Sequence, residues 1–151
     1  MDKDSQVSVL ETLTTTLIDS INGYEKAAED TENQRFRQLF QDHAQDRRRV
    51  ADDLSSEIRR LGGDPPDDGS FMGKTHQSWL DLKAAVTGKD DERVIKSVEA
   101  GEDYLKEKFE TALDSDELTG DARQVVESAY QSVRSGHDQI SRIKHRMDAT
   151  D

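Results

Sequence analysis

Apolar residues recur at alternating steps of three and four along four stretches of the chain, the spacing of a helix that buries one narrow stripe. The first stripe is Leu10, Leu13, Leu17, Ile21, Tyr24 and Ala28; the second is Phe36, Phe40, His43, Arg47, Val50, Leu54, Ile58 and Leu61. The third runs Val94, Val98, Glu102, Leu105, Phe109 and Ala112, and the fourth Val126, Tyr130, Val133, His137, Ile140, Ile143 and Met147. These stripes predict helices over about 8–30, 32–61, 91–113 and 121–147. Ser8 to Glu11 and Thr31 to Gln34 read as capping boxes that open the first two, which makes them a tight antiparallel hairpin. The loop from Asp114 to Gly120 joins the last two in the same way.

Between the second and third helices lies a long connection, Gly62 to Asp90, which opens with Gly62-Gly63 and Pro65-Pro66 as helix-stop signals. Within it, 75–87 is predicted as a short helix, with His76 and Trp79 anchoring it across the bundle and the imidazole bonding a carboxylate such as Glu29 or Glu102. An antiparallel turn needs far fewer residues. A connection of this length can run the roughly 40 Å of helix two, so that helices two and three point the same way. The expected fold is therefore all-α: a single domain over 1–151, built as a ferritin-like four-helix bundle of two antiparallel hairpins joined by a long crossover.

Four stripe positions are polar where leucine would serve: His43, Arg47, Glu102 and His137. Counting residues from the helix ends brings them to one height, with Glu99 beside them. Two readings follow. In the first they form a buried polar layer in which Arg47 pairs with Glu102, because buried charges must be paired. In the second, Glu102, His43 and His137, with Glu25 on the flank of helix one, hold iron or zinc. The guanidinium favours the first reading, since it competes with a cation for the same carboxylate. Tyr24 and Tyr130 are expected to reach the layer through their hydroxyls.

Composition narrows the possibilities. The formal net charge of -12 disfavours nucleic acid, whose phosphates require a basic face. No stretch approaches the roughly 20 apolar residues of a membrane span, and the first residues lack a signal-peptide layout, so the cytoplasm is expected. The absence of cysteine removes disulfides, thiol nucleophiles and thiolate metal sites. Asp outnumbers Glu by 21 to 12, unusual for a helical protein and consistent with a solvation shell suited to high salt.

Several segments together, GYEKAAE (Gly23 to Glu29), RRLGGDP (Arg59 to Pro65), HQSWLDLK (His76 to Lys83), EAGEDYLKEKF (Glu99 to Phe109) and GHDQI (Gly136 to Ile140), give a more specific signal. The chain resembles a family of small bacterial four-helix-bundle proteins of unknown function in the wider ferritin-like group. That resemblance implies the bundle, a stress-associated setting and homodimers formed along helices one and two; it supplies no activity. Di-iron members of the wider group use one Glu from each of two helices and Glu-x-x-His from the other two. Here Arg47-Arg48-Arg49-Val50 stands at one Glu-x-x-His position, and Glu127 to Tyr130 offers tyrosine for histidine at the other. Glu102 fits the third-helix carboxylate, and Glu25 is the nearest candidate on the first helix. The sequence thus reads as a binding or structural protein with a degenerate di-metal site and no cofactor. The alternative is an iron- or zinc-binding metalloprotein or oxidase, and net charge alone would suit an adaptor for a basic partner.

Overall fold

The structure, a computed structural model, describes residues 3–67 and 91–149. Four helices carry these residues: α1 (Lys3–Asp30), α2 (Gln34–Arg60), α3 (Asp91–Asp114) and α4 (Gly120–Ala149). The helix expected over 75–87, with His76 and Trp79, lies outside the described residues. α1 packs on α2 and α3 on α4 as two hairpins; α1 also borders α3, and α2 borders α4. α2 and α3 are left facing each other across the diagonal, and they run parallel. Asn33, capping α2, bonds Asp91 at the start of α3 (3.0 Å), and Arg47 reaches Glu102 one helical stretch further along both. The all-α fold of two hairpins joined by one long connection is the expected one.

The helix ends depart from the expectation in two places. α1 begins at Lys3, and Ser8 is an exposed residue inside it whose carbonyl accepts the hydroxyl of Thr12 (3.1 Å). What holds the early turn is Gln6, buried at 7% exposure, whose side-chain oxygen accepts the Thr119 N–H (3.1 Å) from the α3–α4 loop. The cap of α2 is Asn33 rather than Thr31: its side chain accepts the N–H of Phe36 (3.1 Å). Thr31 serves one step earlier, accepting the Asn33 N–H through its hydroxyl (3.2 Å). Arg37 donates to the carbonyls of Ala28 and Thr31, two acceptors freed where α1 ends. α2 closes as anticipated, with Gly62 at φ 89 and the N–H groups of Gly62 and Gly63 returning to the carbonyls of Arg59 and Ile58.

The core falls into two apolar clusters. One gathers Leu10, Leu13, Leu17, Leu54, Ile58, Leu105, Phe109, Val126 and Val133 at the end where the α3–α4 loop lies. The other gathers Tyr24, Phe40, Ala44, Val94, Ile95, Val98 and Ile140 at the opposite end. Between them each helix contributes one residue that is not a large apolar one: Ser20, Arg47, Glu102 and Gly136. The inward line of α4 is Ala122, Val126, Ala129, Val133, Gly136 and Ile140, so the stripe drawn through Tyr130 and His137 lies to one side of it.

Candidate functional site

Arg47 is 1% exposed and Glu102 fully buried. They meet fork to fork across the diagonal, Nη1 to Oε2 at 2.7 Å and Nη2 to Oε1 at 2.8 Å. Nη1 also donates to the Ser20 hydroxyl (3.0 Å), and the Tyr24 hydroxyl donates to Glu102 Oε2 (2.7 Å). The guanidinium carbon stands 5.8 Å from the centroid of the Tyr24 ring. Three helices thus close a charge-neutral knot in which both carboxylate oxygens are engaged, and two parallel charge-assisted bonds are the strongest contact available to such a pair. Arg47 Nε alone among the buried side-chain nitrogens and oxygens of the described residues has no hydrogen-bond partner.

Burial by itself would raise the Glu102 pKa, but the charge and hydrogen bonds of Arg47, with the Tyr24 bond, bring it below the ordinary carboxylate value. Burial likewise opposes the Arg47 charge, and Glu102 outweighs it, so the guanidinium holds its proton more firmly than usual. Burial and the adjacent Glu102 charge push the Tyr24 phenol well up. At neutral pH the knot is one cation, one anion and one neutral phenol.

The other predicted site residues sit elsewhere. His43 is buried on the α2–α4 seam, where Nε2 lies 3.0 Å from Gln139 Oε1 and the ring centroid 5.0 Å from that of Tyr24. His137 turns to the α3–α4 side, with Asp103 and Asp138 as partners, rather than to Glu102. Glu99 bonds Ser141 (2.9 Å) on the α3–α4 side. Glu25 is exposed and pairs with Arg48. Tyr130 donates to Glu110 (2.6 Å) and does not reach the knot. Glu25, His43, Glu102 and His137 therefore do not converge, and among the described residues no three His, Asp or Glu side chains gather as a metal ion needs. The reason is angular: on α4 the residue facing Arg47 is Gly136, and its neighbour His137 is rotated about 100° away.

Gly136 is the participant that the sequence reading passed over. A Cβ there would stand 2.4 Å from Arg47 Nη2 and 3.3 Å from His43 Cε1. The absent side chain is the space the guanidinium occupies. A signal existed in the glycine placed deep inside a long helical pattern, where it costs about 1 kcal/mol relative to alanine unless packing requires it.

Fold and site together define a four-helix all-α domain closed at its centre by a buried Arg–Glu pair. The chain belongs to the family described as Domain of unknown function (DUF2383), which matches residues 5–115. That match takes in α1 to α3, with Tyr24, Arg47 and Glu102, and stops short of α4. No curated protein matches the chain. Among the described residues no helix is long and apolar enough to cross a membrane.

Proposed function

We propose that the protein is a binding or structural bundle of ferritin-like descent, acting in the cytoplasm, whose di-metal centre has been replaced by an ion pair. The observation that supports this reading is the engagement of Glu102. Oε1 accepts one guanidinium bond, and Oε2 accepts a second together with the Tyr24 hydroxyl. A metal ion taking this carboxylate would have to displace Arg47 and leave a guanidinium buried and unpaired, at a cost of about 3–5 kcal/mol. The cation already supplied by the chain does the neutralising that a metal does in di-iron bundles.

The test is metal analysis of protein produced in medium supplemented with iron and zinc and purified without chelator, followed by thermal unfolding with and without EDTA. Metal well below one equivalent and superimposable melts are the expected results. Stoichiometric metal that disappears in Glu102→Gln would overturn the reading.

A further inference from the structure

His43 stands where the central knot meets the surface. It is 7% exposed, its ring packs on Tyr24 from α1, and Nε2 donates to Gln139 from α4. Its Cε1 and Nδ1 lie 3.3 and 3.4 Å from the place where a Gly136 Cβ would be, and Arg47 Nη2 lies 2.4 Å from that same place. Imidazole and guanidinium therefore share one gap in the α4 wall. Outside that wall a solvent-open groove of about 390 Å³ runs along the α2–α4 seam. The carboxylates of Asp42 and Asp46 line it beside His43, and α4 contributes neutral groups, Gln139 and Ser135 among them.

We propose that His43 is an acid-operated latch on α4: when protonated, its ring leaves the seam, turns outward to Asp42 and Asp46, and frees Gln139, so that α4 loosens from α2. The charges around the ring set this direction. From α2 it meets Arg47, a cation, and Asp46; from α3, Glu102; from α1, the neutral phenol of Tyr24. Glu102 already balances Arg47, so an imidazolium inside would be a second cation sharing the Gly136 gap with one engaged carboxylate. In the groove it would meet water and two carboxylates, Asp42, which accepts a bond from Gln38 (2.9 Å), and Asp46, which it would share with the exposed Arg49 (2.6 Å). Burial, the largest influence, together with the Arg47 charge, outweighs Glu102, Gln139 and Asp46 and sets the imidazole pKa below the ordinary histidine value. The closed seam therefore binds the proton less tightly than the open one. Its stabilisation is complete above the ordinary histidine pKa and is lost as pH falls through the depressed one.

The experiment is hydrogen exchange of the full chain at pH 7.5 and at progressively lower pH, corrected for the intrinsic rate, in wild type and in His43→Gln. Wild-type peptides from Ser132 to Ile143 should lose protection by up to about tenfold per pH unit once His43 begins to titrate. Peptides from Leu10 to Ile21 should hold theirs, and His43→Gln should abolish the α4 change. Unchanged α4 protection across the range, or an equal loss in His43→Gln, overturns the proposal. Asp42→Asn with Asp46→Asn alters no buried side chain, although it gives up the exposed pair of Asp46 with Arg49, and serves should His43→Gln fail to fold. It should reduce the loss in α4, and an unaltered loss would refute the outward turn.

Discussion

Alanine at position 136 sets two effects of opposite sign against each other. Inside α4, replacing glycine by alanine should stabilise the helix by about 1 kcal/mol. The new Cβ, however, would lie 2.4 Å from Arg47 Nη2, where contact between such atoms is comfortable near about 3.5 Å. The far end of an arginine would ordinarily swing clear at little cost. This one is 1% exposed and held at Nη1 and Nη2 by Glu102 and Ser20, so a retreat of about 1 Å gives up the Nη2–Oε1 bond. A hydrogen bond to a charged group is worth about 1.5–3 kcal/mol, and crowding His43 adds a share of the overpacking cost of about 1–3 kcal/mol. The net expectation for Gly136→Ala is a loss of about 1–3 kcal/mol, seen as a melting temperature lower by about 2–4 °C per kcal/mol. Urea unfolding followed by helical circular dichroism measures it, with an unchanged slope showing that the native state is otherwise intact. In the background Arg47→Met with Glu102→Leu the obstacle is gone, and the same substitution should stabilise by up to about 1 kcal/mol. Gly136→Ala that stabilises the wild-type chain would refute the argument, because the guanidinium could not then be filling the gap.

Arg47→Ala leaves Glu102 buried without its partner and should cost about 3–5 kcal/mol in urea unfolding, and an unchanged curve would mean that Arg47 faces water. Asn33→Ala removes the cap of α2 and the bond to Asp91, for a loss of about 1 kcal/mol, with faster amide exchange at the first turn of α2 as the local readout. Glu102, its pKa lowered in the folded state, contributes stability that is present above the ordinary carboxylate pKa and disappears as pH falls through the depressed value. Acid titration of stability should therefore be steeper in wild type than in the Arg47→Met, Glu102→Leu background, and parallel profiles would contradict the assignment.

The helices were legible because their stripes are regular: every predicted apolar member on α1 is buried, and so are Val94, Val98, Leu105 and Phe109 on α3. The parallel course of α2 and α3 was legible from the length of the connection, since no short turn was in play. The fourth helix was harder to read. Its inward line is carried by Ala122, Ala129 and Gly136, small residues that add little to an apolar count, while Tyr130 and His137 beside them attract attention by size and chemistry. A rotation of one residue moved His137 from the knot to Asp103. The true start of α1 was obscured for a related reason. Ser8 to Glu11 has the form of a cap, but the restraint on that end is a long-range bond from Gln6 to Thr119, which no local pattern announces.

The placing of the charged pair follows from the same architecture. Each hairpin has its internal register set by a short loop; between the hairpins no short loop does this, and among the described residues side chains align them, Asn33 with Asp91 and Gln6 with Thr119 at the ends and Arg47 with Glu102 at the centre. Apolar seams tolerate a shift of one turn, about 5.4 Å, when one leucine or valine replaces another. Arg47 and Glu102 do not. After such a shift the fork no longer meets the carboxylate, the Ser20 and Tyr24 bonds are lost with it, and two charges stay buried unpaired. The penalty for that state, about 3–5 kcal/mol, is far larger than the net stability a buried ion pair adds over a well-packed apolar pair. The pair lies on the diagonal, between two apolar clusters that would otherwise merge, so its contribution is to one alignment of the hairpins more than to the stability of the bundle.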